Sequence, residues 1–138
     1  MQDLATDVVW QDRLERLDSE VEDIRLPNAA DGVDQDEEWC EIVVKGEKRR
    51  IRFHDYSDVF RIRGLYEELF HDHLQCCSPS YIVSLLESVA REYGERPDEF
   101  RVLDVGAGNG MVGDELQALG VQSIVGIDII PAAKDAAS

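Results

Sequence analysis

Residues 101–128 hold the side chains best placed for chemistry. An apolar run, Arg101-Val102-Leu103-Asp104-Val105, leads into Gly106-Ala107-Gly108-Asn109-Gly110, and a second run, Val125-Gly126-Ile127, ends in Asp128. Glycines at alternate positions directly after a strand permit positive φ in a turn and let a ligand approach bare backbone. A helix after the loop would add N–H groups at its start, an end that favours anions. Asp104 is the unusual member. A carboxylate within Val-Leu-Asp-Val is costly if buried without partners, so it is expected to point into a ligand cleft at the carboxyl end of the strand. Asp128 lies 22 residues beyond Gly106. From that position in a nucleotide-binding βαβ unit, a carboxylate accepts hydrogen bonds from ribose hydroxyls.

The elements that must position these residues are legible around them. A strand over 101–105, a helix over 111–119 stopped by Gly120, and a strand over 121–127 make up the βαβ start, with Pro131 opening a further helix. Ser78-Pro79 caps a helix whose apolar face is Ile82, Leu85, Leu86, Val89 and Tyr93, and Gly94 ends it. Val59, Ile62, Tyr66, Leu69 and His73 recur at helical spacing, which predicts one helix from Ser57 to about Leu74 despite Gly64. Residues 40–44 and 50–53 flank Lys45-Gly46-Glu47-Lys48 and predict a β-hairpin. Trp10, Leu14, Leu17, Val21 and Ile24 step by four and three, which predicts an amphipathic helix ended by Pro27. Residues 27–39 are polar and acidic and read as a linker.

Asp104-Val105-Gly106-Ala107-Gly108-Asn109-Gly110 and Gly126-Ile127-Asp128-Ile129, with two helices ahead of the first strand, resemble the class I S-adenosylmethionine-dependent methyltransferases over residues 57–138. The resemblance implies an α/β fold, the start of a Rossmann-like doubly wound parallel sheet (first strand, helix, second strand) preceded by helices and a β-hairpin. It further implies S-adenosyl-L-methionine as cofactor. Gly106, Gly108 and Gly110, with Ala107 and Asn109 in the same loop, would lie beneath its methionine part. Asp104 would meet its amino group directly or through water, Asp128 would hold the ribose, and Ile129 would lie against adenine. An enzyme transferring a methyl group to an acceptor N, O or C, a small molecule, is the implied activity; no catalytic base can be named. The later motifs of that family have no counterpart here, so the sheet is expected to be incomplete in this chain.

Two other readings compete. Gly108-Asn109-Gly110-Met111-Val112-Gly113 satisfies G-x-G-x-x-G, the signature of an NAD(P)- or FAD-binding oxidoreductase. That register starts two residues late, sets Met111 and Val112 against a pyrophosphate, and leaves Asp104 unexplained. The third reading is a non-catalytic, methyltransferase-like partner subunit, because one face of the first strands would lie uncovered.

Charge narrows the partners. The chain of 138 residues carries a formal net charge of −16. Such a balance argues against nucleic-acid binding, which relies on clustered Lys and Arg. No run of about eighteen apolar residues predicts a membrane span, and no secretory signal is visible at the N-terminus. Cys40, Cys76 and Cys77 cannot all pair, and adjacent cysteines rarely bridge, so a cytoplasmic location is expected. The expected division is an acidic N-terminal helix and linker over 1–39, a hairpin extension over 40–56, and the methyltransferase-like part over 57–138. Self-association through the uncovered sheet or the N-terminal helix would be open to such a chain.

The remaining reactive side chains carry less. His71, His73, Cys76 and Cys77 could in principle serve a soft metal, but a helix turns positions 71 and 73 away from each other and the spacing fits no common zinc pattern, so no metal is expected. His54 could act as a proton acceptor, and Tyr56, Tyr66 and Tyr81 could line a substrate site. Isolated histidines and helically spaced aromatics more often serve packing.

Overall fold

A computed structural model of the chain describes residue 13, residues 15–27 and residues 37–137. It is a mixed α/β structure with one antiparallel and one parallel sheet. The described residues fall into two compact units, Arg13–Leu74 and residues 75–137.

The first unit is built on three strands, β1 (Val21–Arg25), β2 (Trp39–Val44) and β3 (Glu47–Arg52), in the order β1-β2-β3. The predicted hairpin is β2 and β3, paired from Val44↔Glu47 to Trp39↔Arg52. Its two-residue turn has φ of 52° at Lys45 and 76° at Gly46, the primed geometry whose twist matches antiparallel strands. Cys40, Ile42, Ile51 and Phe53 bury one side of the sheet against Val59, Leu65 and Leu69.

Two predicted helices differ from the structure. Val21–Arg25 is a strand, while Trp10 and Leu14 lie outside the described residues. Residue 22 is a bulge: Val21 pairs with Val44 but Asp23 already pairs with Val43. The extra residue inverts the alternation, so Val21 and Ile24 share a face although three positions apart. A bulged strand thereby imitates helical spacing. The second departure is at Gly64. Helix α1 (Tyr56–Arg61) has already stopped, with Ile62 extended, and a wide-turn helical segment follows over Glu67–His73, closing with Leu74 N–H donating to Leu69 O at 3.0 Å. Gly64 adopts φ +75°, and a Cβ on it would lie 2.5 Å from Leu17 N. Asp18 N–H donates to Arg63 O at 3.0 Å. The chain around Leu17 passes through the space that a side chain at 64 would fill, so only glycine fits between the two helical segments.

The second unit carries α2 (Ser78–Tyr93), β4 (Arg101–Val105), α3 (Met111–Leu119), β5 (Ser123–Ile127) and α4 (Pro131–Ala136). β4 and β5 pair in parallel, from Arg101↔Ser123 to Val105↔Ile127. Gly94 and Gly120 end α2 and α3 in the left-handed conformation, as predicted. Val121 was expected in the strand. Its N–H donates instead to Leu116 O at 3.0 Å while Gly120 N–H donates to Gln117 O at 3.0 Å. That pattern closes a helix end and buries the residue after the glycine against the last turn, so β5 begins later. Val83, Leu116 and Val121 form the core, with Val102 and Ile124 packed against it. Leu103, Val105, Val125 and Ile127 alternate to the other side of the two strands and are exposed. Among the described residues no helix is long and apolar enough to cross a membrane.

Candidate functional site

The loop between β4 and α3 takes its shape from its glycines. Gly106, Gly108 and Gly110 have φ of 79°, 55° and 81°, a region that costs an L-residue roughly 1–2 kcal/mol. Alternating glycine is therefore a backbone requirement here. Space beside Gly106 is open, with no atom within 4 Å of a Cβ built on it. Asn109 is buried and Ala107 half-buried between them.

The loop is pinned to the end of β5. Gly106 and Ala107 N–H both donate to Ile127 O, at 2.8 and 3.0 Å. Gly108 N–H donates to Asp128 Oδ2 at 2.8 Å, and Ile130 N–H donates to Asp128 Oδ1 at 2.8 Å. Asp128 thus ties the loop after the first strand to the turn after the second. Each of its oxygens keeps a further lone pair for another donor.

Asp104 stands opposite Gly126 in the register. It is half-buried, and its carboxyl is raised above the ordinary aspartate range, first by burial and then by the negative charge of Asp128. Asp104 and Asp128 thus stand at the carboxyl ends of adjacent parallel strands. Two carboxylates so placed repel each other, and a cation between them would relieve both. Ile129 projects beside them and is 96% exposed.

Gly126 matters more than its place in the motif suggested. A Cβ on it would lie 2.9 Å from Ala107 Cβ, so the loop rests directly on the backbone of β5. The signal was there, since glycine inside a strand marks a bulge or a close approach.

The other reactive residues are placed elsewhere. Tyr66 is packed between Phe60, with ring centres 4.8 Å apart, and Phe70, at 4.7 Å; it builds core. Tyr81 lies exposed on α2. The His54 and Tyr56 rings meet edge to face at 6.0 Å on the surface. Glu68, Asp72 and His73 bring three possible metal-ligand atoms within 4.8 Å of one another. His73 Nδ1 lies 3.0 Å from Glu68 O. A ring nitrogen facing a carbonyl carries the proton, which leaves the imidazole lone pair on Nε2. Cys76 Sγ contacts Ser78 Oγ at 3.3 Å.

No protein-family model, no curated protein and no solved structure matches this chain.

Proposed function

We propose that this chain is the cofactor-binding part of a Rossmann-like, S-adenosylmethionine-dependent methyltransferase acting on a small-molecule acceptor in the cytoplasm. The observation that carries the reading is the bond from Gly108 N–H to Asp128 Oδ2, with Asp104 close enough to feel the same charge. Gly106, Ala107 and Gly108 spend their N–H groups on Ile127 O and Asp128. What the ends of β4 and β5 offer is two carboxylates, which repel a diphosphate and attract a cation. S-adenosylmethionine carries a sulfonium and an amino group; NAD and FAD carry a diphosphate.

In this reading Asp128 accepts hydrogen bonds from the ribose, Asp104 meets the amino group directly or through water, and Gly106, Gly108 and Gly110 let the methionine part lie on bare backbone. Ile129 covers the adenine. The cofactor supplies an electrophilic methyl group. The residues here hold its donor in one orientation and shield it from water, which is where most of the rate gain in such displacements arises.

Calorimetric titration of the chain tests this. S-adenosylmethionine is expected to bind saturably, and Asp128→Ala to weaken it about tenfold or more. Binding of NADH, or no saturable response to S-adenosylmethionine, overturns the reading. The exposed side of β4 and β5, with Leu103, Val105, Val125 and Ile127, favours a second reading as a non-catalytic subunit of a larger assembly. A chain that binds the cofactor only when co-purified with another subunit would support that instead.

A further inference from the structure

The acidic chain keeps one basic edge. Five of its 14 Lys and Arg residues fall within residues 45–52, against a single acid, Glu47. Four of them, Lys48, Arg49, Arg50 and Arg52, belong to β3, the terminal strand of its sheet. Every residue of β3 except Ile51 is exposed, and among the described residues no strand pairs with its outer edge.

The direction of its backbone groups follows from the hairpin. A two-residue turn makes Val44↔Glu47 a hydrogen-bonded pair, and alternate residues then bond inward. Phe53 N–H, in the same phase as Glu47, Arg49 and Ile51, donates back to Glu38 O at 2.9 Å. Lys48, Arg50 and Arg52 therefore turn their N–H and C=O groups outward. The same three side chains alternate to the face opposite buried Ile51. There the Arg50 guanidinium lies 3.8 Å from the Trp39 ring centre. Lys48 pairs with Glu41 at 3.3 Å and Arg52 with Asp55 at 3.0 Å; such exposed pairs are weak and exchangeable.

We infer that the outer edge of β3 is a docking edge for an extended acidic peptide segment with Asp or Glu at every second position, which adds to the sheet as a fourth strand. Its alternate carboxylates stand beside Lys48, Arg50 and Arg52, at the same-face distance where opposite charges attract. Its backbone matches both the donors and the acceptors of the edge. A nucleic-acid strand satisfies only the donors and places phosphates against the outward carbonyls. A second copy of β3 would set Lys and Arg against Lys and Arg. The inference is independent of the cofactor reading.

The test is fluorescence anisotropy of the full chain with a labelled peptide of about eight residues alternating glutamate with valine or threonine. Its lysine counterpart and an oligothymidylate serve as comparison probes. Saturable binding of the acidic peptide that weakens with salt is expected. The double change Lys48→Glu with Arg50→Glu should reduce it about tenfold or more. Arg50→Pro should do the same by removing one outward donor together with one of the three cations, while every bond to β2 stays in place. Should Arg50→Pro fail to fold, hydrogen exchange on the unaltered chain decides: the Lys48, Arg50 and Arg52 amides must become protected when the peptide is added. No saturable binding, undiminished binding to folded Arg50→Pro, tighter binding of oligothymidylate, or no protection of those amides overturns the inference.

Discussion

Gly126 on β5 and Ala107 in the glycine loop touch where no side chain would fit: a Cβ on Gly126 would stand 2.9 Å from Ala107 Cβ. The loop reaches Ile127 O and Asp128 only because β5 is bare at this point. Gly126→Ala is expected to destabilise the second unit by about 1–3 kcal/mol, the range for overpacking. Adding Ala107→Gly should restore most of that, since the clash is between these two atoms. Thermal melts of the single and double variants measure the coupling.

Asp104 couples the site to stability in a defined direction. Its carboxyl is raised in the folded chain by burial and by Asp128, so the folded state binds the proton more tightly than the unfolded state. Stability therefore falls as pH rises from the ordinary aspartate range through the raised value, and the cost is fully present at neutral pH. Asp104→Asn is expected to raise the melting temperature at pH 7, with the gain shrinking as acid protonates the native residue. On the proposed cofactor reading, the same variant should also weaken S-adenosylmethionine binding. A melting temperature at pH 7 equal to or below that of the unaltered chain would remove the electrostatic account of this residue.

Gly64 and Gly46 separate steric clash from backbone strain. Both have positive φ, yet a Cβ at 64 meets Leu17 N at 2.5 Å while one at 46 meets nothing within 4 Å. Gly46→Ala should cost about 1–2 kcal/mol. Gly64→Ala should cost about 2–5 kcal/mol, strain and overpacking together. Urea titrations of the two variants give the comparison, and equal costs would mean that the chain around Leu17 yields freely.

The cysteines should differ in reactivity. Cys40 is fully buried in β2, and burial pushes its thiol up to about 11. Cys76 is half-buried and Cys77 exposed. Because the thiolate is the nucleophile, a disulfide-exchange reagent near neutral pH should label Cys76 and Cys77 promptly and Cys40 only on unfolding. Mass spectrometry of the labelled peptides reads this directly.

Where structure depends on neighbours along the chain, it was legible beforehand. Gly94 and Gly120 end helices and Pro79 stands in the first turn of one, and the hairpin stood out too, although its turn is Lys45-Gly46 alone and not the four residues 45–48. The glycines at 106, 108 and 110 and the carboxylates at 104 and 128 likewise stood out by position. Residues distant in sequence decided the rest. The bulge at residue 22 depends on pairing with β2, and the need for glycine at 64 depends on Leu17. Gly126 makes room for Ala107, and Asp128 takes its first hydrogen bond from Gly108. Periodicity along a chain encodes which side chains are apolar and how often they recur. It does not encode which backbone will later pair with them or occupy the space beside them: pairing with β2 separated a strand from a helix here, and excluded volume seated the loop on the sheet.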